Sequence, residues 1–412
     1  MSTSQLPLRT IDLPVLPGTV GTGSTQVATL GVMGGGQLGR MFVHAAQRMG
    51  FFTAVLDPDP QSPAGRVSHH HVQTAYDDAT GLAHLSQLCD AITTEFENVP
   101  ALSLQTLAAQ RPVAPGAQAV AVAQNRIEEK SHFVASGVLC APYAVIENAE
   151  HLATLDTALL PGILKTARMG YDGKGQVRVA NAAELAAAWE DLKRVPCVLE
   201  KMLPLKAECS VLLARGWDGQ IVAYPAQRNV HVDGILAVTH AYVGNLPAAL
   251  AARALAAAQS IARQIDYVGV LCVEFFVVDD GSPEGDLIVN EIAPRPHNSG
   301  HYTMDACSHS QFDLQVYSLA GLALPELRQH SPAIMLNLLG DVWQDAAGKP
   351  RTPDWQAVLA LPGTHLHLYG KLAARPGRKM GHLNITAGDI PSLLATTRQV
   401  AELLGLPGLE QP

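Results

Sequence analysis

The chain has 412 residues, 48% of them hydrophobic and only 16% charged, with a formal net charge of −9. At roughly 150 residues per domain that is material for two or three buried cores, and it excludes disorder for most of the length. The acidic balance argues against a general nucleic-acid binder, so an anionic ligand must be held by a local cationic patch. No run of 18 apolar residues could form a transmembrane helix, and residues 1–26 lack the basic-then-apolar layout of a signal peptide. That Ser-, Thr-, Pro- and Gly-rich stretch is expected to be a disordered tail with no assigned role. Cys89, Cys140, Cys197, Cys209, Cys272 and Cys307 show no CxxC spacing, which predicts buried free thiols in a cytoplasmic protein.

VATLGVM (27–33), the glycine turn GGGQLG (34–39), a helix over 40–50 and a strand over 52–57 follow in order. This rhythm predicts a small doubly wound domain with a parallel sheet over residues 27–125. A further strand, DAITTEFE (90–97), ends in carboxylates where ligands collect in open α/β sheets. From about 125 the texture becomes α+β: a helix at NRIEEKSHFVASGV, strands flanking a glycine loop in 161–180, and further strands over 197–203 and 208–227. An Ala-rich helix (247–265) precedes two strands, 268–278 and 286–292, and segments 333–340 and 364–371 suggest a small β-containing C-terminal domain closed by a helix near 390–404. No internal repeat is visible.

Five constellations could carry chemistry. Gly34, Gly36 and Gly39 stand at GxGxxG spacing between a strand and a helix, with Asp57 ending the next strand. NAD binding, a phosphate or substrate contact, and a purely structural tight turn are all open readings. GYDGKGQ (170–176) interleaves glycines with Lys174, and Lys165 stands nearby. Such a hairpin can fold over a polyphosphate, although it is not a Walker-type loop.

Strands 268–278 and 286–292 should pair around DDGSPEGD, and a turn centred between Ser282 and Pro283 places Glu274 opposite Glu291. Two facing carboxylates flanked by apolar residues repel unless a cation joins them, and oxygen ligands of this kind suit Mg²⁺. Directly afterwards APRPHNSGHYT supplies Arg295, His297 and Asn298 as donors for a phosphate-like group. Lys371, Arg375, Arg378 and Lys379 form a dense cationic cluster that reads as an anion pocket. His69 to His71 have no partner at metal-ligand spacing and are expected in a solvated loop.

With these elements in order, the chain resembles the ATP-grasp enzymes, and among them the N5-carboxyaminoimidazole ribonucleotide synthetases. The resemblance rests on GGGQLGRM (34–41), TEFENVP (94–100), GYDGKGQ (170–176), NEIAPRPHNSGHYT (290–303) and RPGRKMGHLN (375–384), and it spans residues 27 to about 405. It implies an α/β and α+β architecture. After the tail come a Rossmann-like N-terminal domain (27–125), an ATP-grasp domain (126–330, with a mobile lid subdomain about 155–205) and a small β-rich C-terminal domain (331–412).

The resemblance also implies the chemistry: ATP phosphorylates bicarbonate to carboxyphosphate, which carboxylates 5-aminoimidazole ribonucleotide in purine biosynthesis. Matched by position, Arg126, Lys165 and Gly170, Tyr171, Asp172, Gly173, Lys174, Gly175 and Gln176 would hold the ATP phosphates. Glu200, Lys201, Met202 and Leu203 would line the adenine hinge, with Glu208 at the ribose and His231 near the nucleotide. The hinge ends in apolar Leu203, so Glu200 and backbone groups are expected to read the base. Glu274 and Glu291, accompanied by Asn290, match the carboxylates for Mg²⁺ or Mn²⁺. Arg295, His297, Asn298 and Lys174 match the catalytic groups around bicarbonate and carboxyphosphate. Tyr171, Asp172, Lys371, Arg378 and Lys379 match the ribonucleotide site, joined by Gln37, Leu38 and Glu97.

Under this resemblance the loop GGGQLG lies beside the ribonucleotide and does not hold NAD. A homodimer, and no nucleic-acid or membrane partner, are further implications. The rival readings are a formate-using glycinamide ribonucleotide transformylase of the same superfamily, an NAD-dependent oxidoreductase, and a nonenzymatic nucleotide-binding module.

Overall fold

The β-branched run before the glycines forms the central strand of a parallel sheet in the computed structural model, which describes residues 13–19, 26–168, 175–345 and 347–406. Strands β1 (Thr29–Met33), β2 (Phe52–Leu56), β3 (His70–Val72) and β4 (Ala91–Thr94) lie in the order β3-β2-β1-β4, all parallel. Every residue of β1 is buried, as a parallel strand covered on both faces requires. The helix Gln37–Arg48 buries Leu38, Met41, Phe42, Val43, Ala45 and Ala46 on one side. Two expectations need correction here. His70 and His71 lie in the edge strand β3, not in a loop, and the His69 ring stacks on Phe52 at 4.0 Å. Part of the expected disordered tail is docked on the fold: Leu13 packs against the first core, Val15 is buried in it, and the Val15 N–H donates to Ala320 O at 2.8 Å.

Strands β5 (Tyr143–Ile146), β6 (Gly162–Thr166), β7 (Gln176–Val179) and β8 (Cys197–Lys201) make a separate antiparallel sheet, β5-β8-β6-β7. Leu185, Ala188 and Trp189 of the helix Ala182–Asp191 close its core.

The third sheet organises the molecule. It comprises β9 (Leu205–Arg215), β10 (Ile221–Ala223), β11 (Gln227–Val232), β12 (Ile235–Ala241), β13 (Gly269–Val278), β14 (Asp286–Ala293), β15 (Ala333–Leu339), β16 (Thr364–Leu368) and β17 (Lys379–Thr386). The order is β14-β13-β9-β11-β12-β15-β17-β16, antiparallel throughout, with β10 paired to β9. The β-rich C-terminal segment therefore adds its strands to the central sheet through β12–β15 pairing, where Val238 faces Leu336. The β11–β12 hairpin carries an Asp233-Gly234 turn that the sequence reading passed over.

Alternation along these strands separates two faces. Val211, Leu213, Val273 and Phe275 pack under the helix Ala248–Gln264 through Ala254, Ala258 and Ile261. Leu212, Ala214 and Cys272 pack under Tyr302 and Leu314. Leu314 belongs to the helix Gln311–Ala320, whose Phe312, Val316 and Leu319 join the first core beside Phe42. That helix is thus wedged between the parallel and central sheets, and Arg48 pairs with Asp313 across the seam. Among the described residues no helix is long and apolar enough to cross a membrane. Five cysteines are buried free thiols and Cys140 is half-buried.

Candidate active site

The glycine loop at the end of β1 is already occupied by the protein itself. Gly36 N–H donates to Glu95 Oε1 at 2.5 Å and Gly39 N–H to Glu95 Oε2 at 2.8 Å. Gly35 N–H donates to Asp57 Oδ2 at 2.6 Å, and Tyr76 OH donates to the same oxygen. The helix N-terminus has its anion, the Glu95 carboxylate. A Cβ on Gly36 would lie 2.4 Å from Glu95 Oε1, which explains the glycine without a cofactor. The NAD reading is therefore corrected: the N–H groups and the acid it needs are bonded within the fold.

The acidic pair sits on the central sheet. Glu274 faces Glu291 across β13–β14, as the hairpin arithmetic predicts, but by a different route. Val278 pairs with Asp286 and Phe275 with Val289, so the turn centres on Ser282, and an unbroken ladder would set Glu274 opposite Asn290. A bulge at Asn290 restores the match. Burial and the neighbouring Glu291 push the Glu274 carboxyl up to about 8, and its Oε1 has no hydrogen-bond partner. On the adjacent strands, His231 Nδ1 meets Glu208 Oε2 at 2.6 Å; burial opposes charge on this ring, but Glu208 and then Glu274 raise its pKa.

A second group rises from the helix Arg126–Ala135, whose N-cap Asn125 accepts from Ile127 N–H. Arg126, Glu129 and Lys130 share one face through i, i+3 and i+4 spacing. Arg126 Nη1 lies 3.6 Å from Glu291 Oε2, and Glu129 Oε1 accepts from Ile292 N–H at 2.8 Å. Lys130, almost fully buried, stands 3.3 Å from Glu200 Oε1, while Lys165 donates to Glu200 Oε2 at 3.1 Å. The Glu200 carboxylate is committed to two ammonium groups and holds both.

Beyond Glu291 the chain leaves β14 and brings three donors together. Arg295 Nε donates to Glu97 Oε2 at 2.5 Å; burial disfavours its charge, but Glu97 more than compensates and raises its pKa. His297 Nε2 lies 3.7 Å from Glu274 Oε1, and burial followed by the field of Arg295 keeps the ring neutral. Asn298 is 8% exposed and its Nδ2 has no partner. From the C-terminal segment, Lys371 Nζ donates to Lys379 O at 2.7 Å and Arg378 Nη1 to Ala373 O at 2.8 Å. Burial, then Arg378, lowers the Lys371 pKa to about 8.

Most of these groups line one cavity of about 1000 Å³, with Asp57, Tyr76 and Lys130 outside its wall. Its wall includes Gln37, Leu38, Glu97, Arg126, Lys165, Gln176, Glu200, Lys201, Met202, Leu203, Glu208, His231, Glu274, Asn290, Glu291, Arg295, His297, Asn298, Lys371, Arg378 and Lys379. Gly175 is outside this wall; it has φ +70° and its carbonyl accepts from Thr166 N–H. Arg375 of the cationic run is exposed. Gly170, Tyr171, Asp172, Gly173 and Lys174 lie outside the described residues.

Three family models match in succession: a ribonucleotide synthetase preATP-grasp domain over residues 27–124, an ATP-grasp domain over 131–312 and a phosphoribosylaminoimidazole carboxylase C-terminal domain over 333–396. The chain is 42% identical to the N5-carboxyaminoimidazole ribonucleotide synthase of Brucella melitensis over 363 residues, covering 86% of this chain and 95% of that one. The chain belongs to the N5-carboxyaminoimidazole ribonucleotide synthase family.

Solved relatives agree over nearly the whole length. The Staphylococcus aureus N5-carboxyaminoimidazole synthetase complexed with ADP superposes with a TM-score of 0.82 at 35% identity, covering 96% of this chain and 99% of that one. The Aspergillus clavatus synthase in complex with ADP and 5-aminoimidazole ribonucleotide gives 0.80 at 31%, covering 92% and 98%. As a family member the chain is an ATP-grasp ligase. The sequence reading missed Glu129 and Lys130 and took Glu95 only as one of the carboxylates ending DAITTEFE; all three line or buttress this site. Glu129 and Lys130 stand in a run of charges, NRIEEK, that resembles a solvated helix face. Only their spacing from Arg126 singles them out.

Proposed function

We propose that this chain turns over ATP, bicarbonate and 5-aminoimidazole ribonucleotide within the single cavity, with carboxyphosphate as the intermediate. The overall activity is that of its family: ATP-dependent carboxylation of 5-aminoimidazole ribonucleotide to N5-carboxyaminoimidazole ribonucleotide in purine biosynthesis. The observation that carries the finer reading is the convergence of these groups on one cavity. Arg126 and Lys165, cations for a polyphosphate, share its wall with the Glu274–Glu291 pair, with Arg295, His297 and Asn298, and with Lys371, Arg378 and Lys379; Arg126 lies 3.6 Å from Glu291 and His297 3.7 Å from Glu274.

The facing carboxylates and the orphaned Glu274 Oε1 fit a divalent cation, which lowers the repulsion between them. Mg²⁺ held there with nucleotide phosphates would neutralise charge on the phosphoryl oxygens. Lys165, held in place by Glu200, and Arg126 orient the triphosphate so that a bicarbonate oxygen attacks the γ-phosphorus in line and ADP leaves. Arg295, His297 and Asn298 present donors to the resulting carboxyphosphate. The exocyclic amine of the ribonucleotide then attacks its carbonyl carbon, and inorganic phosphate departs with the C–O bond electrons and takes up the proton that the amine sheds. Lys371, Arg378 and Lys379 hold the 5′-phosphate, and Gln37, Leu38 and Glu97 complete the ribonucleotide site.

ADP release measured with bicarbonate and the ribonucleotide together, and with each omitted, tests this reading. Release should require both. Equal release with formate and glycinamide ribonucleotide would replace it with the transformylase reading.

A further inference from the structure

A row of buried polar side chains crosses the central sheet behind the acyl-phosphate donors. Ser210 on β9 pairs with Glu274 on β13 and with Gln227 on β11; Glu208, two residues along β9, pairs with Asn229, which faces Thr239 on β12. Cross-strand partners project to the same side of a sheet, so Glu274, Ser210, Asn229 and Thr239 share the site face. Thr239 Oγ1 donates to Asn229 Oδ1 at 3.1 Å, Asn229 Nδ2 to Ser210 Oγ at 2.7 Å, and Ser210 Oγ to Ser299 Oγ at 2.9 Å. Ser299 Oγ lies 2.9 Å from His297 Nδ1, and Ser299 N–H donates to the same nitrogen at 3.3 Å. The four residues Ser210, Asn229, Thr239 and Ser299 are at most 4% exposed.

The direction of this row is fixed at both ends. An amide NH₂ can only donate, so Ser210 Oγ accepts from Asn229 and must send its own proton onward. A backbone N–H can only donate, so His297 Nδ1 must be the acceptor and the ring proton must sit on Nε2. Ser299 Oγ, taking the proton of Ser210, has His297 Nδ1 at 2.9 Å and the Cys272 sulfur at 3.8 Å as acceptors, and the nearer and stronger one is Nδ1. Gln227, with its amide oxygen turned to Ser210, offers a longer alternative acceptor at 3.3 Å. Nothing in this arrangement leaves Nε2 a lone pair. At 3.7 Å from Glu274 Oε1, the Nε2–H is too far for a good hydrogen bond there, and the ring lines the cavity between Arg295 and Asn298.

We propose that Ser299, oriented by Ser210 and Asn229, is a positioning residue that locks His297 as an Nε2–H donor toward the acyl-phosphate oxygens. Arg295, His297 and Asn298 then form an all-donor wall suited to an oxyanion, and His297 is not the base that takes the proton of the attacking amine. The inference rests on His297 facing carboxyphosphate, as set out above.

Two measurements test it. Nitrogen-15 spectra of histidine-labelled enzyme without substrates, with His297 assigned by its loss in His297→Gln, should show a neutral ring protonated on Nε2. A ring protonated on Nδ1, or a charged one, overturns the proposal. Ser299→Ala should lower kcat about 10- to 100-fold, as loss of a ring-orienting partner does elsewhere, with both substrate KM values within about twofold. Ser299→Thr should recover most of the loss. Unchanged kcat, or a loss confined to KM, overturns it. The spectrum reads the tautomer whatever carboxyl donor is used, whereas a wrong choice of donor shows up in the ADP-release assay. The wild-type spectrum holds the test if Ser299→Ala fails to fold.

Discussion

One carboxylate just past the end of β4 and one inside β13 meet at this cavity, and the protein treats them in opposite ways. At the end of β4, Glu95 is wrapped by the N–H groups of Gly36 and Gly39, so the glycine N–H groups of the loop that looks like a nucleotide fingerprint are already taken. On β13, Glu274 faces a second carboxylate and keeps an oxygen without a partner. Glycine spacing and acid content are equally suggestive in the two segments. What separates them is whether the polar groups are satisfied inside the fold. An unsatisfied buried group costs on the order of 1–3 kcal/mol, so one that persists on a cavity wall, as Glu274 Oε1 does, is open to a ligand.

Substitutions around the two carboxylates should differ accordingly. The largest effect belongs to Glu291→Gln, which removes half of the paired charge. It should reduce kcat for ADP release by about a hundredfold or more, roughly 3 kcal/mol of barrier, with an unchanged thermal unfolding profile. Normal turnover would contradict the metal assignment. Gly36→Ala is expected to act the other way round. Its Cβ would sit 2.4 Å from Glu95 Oε1, so urea denaturation should show about 2 kcal/mol less stability while ATP cleavage per folded molecule is kept. A selective loss of ATP binding in that variant would revive a nucleotide role for the loop.

Arg378→Ala should raise the KM for the ribonucleotide about tenfold, the loss of a charge-assisted contact, with the KM for ATP within twofold. Equal effects on both would remove it from the substrate side. The smallest effect is the pH dependence from Lys371. With its pKa drawn down to about 8, the ammonium is charged below that pH and neutral above it. The ribonucleotide KM should therefore climb severalfold as pH rises through 8, and Lys371→Arg should flatten the climb.

The sequence made some of this legible and hid the rest for identifiable reasons. Periodicity and glycine turns located β1, β2, β13, β14 and the helices Gln37–Arg48, Arg126–Ala135, Ala248–Gln264 and Ile390–Leu404 because those signals are local. The pairing of Glu274 with Glu291 came out right although the turn centre was half a residue off, since the Asn290 bulge makes up the difference and leaves no mark that hairpin arithmetic can detect. The joining of β15 to β12 depends on strands some hundred residues apart, which no window reveals. Lys130 and Glu129 are not singled out by the sequence reading, because burial is a tertiary fact. The Ser210–Asn229–Ser299 row was invisible for the same reason: three ordinary polar residues become a chain only when the strands are set side by side.

The most direct measurement is an anomalous difference map of crystals grown with Mn²⁺ and a nonhydrolysable ATP analogue. The account predicts a peak between the Glu274 and Glu291 carboxylates, touching the analogue's phosphates and absent in Glu291→Gln. A peak away from this pair, or one that survives the substitution unchanged, would contradict it.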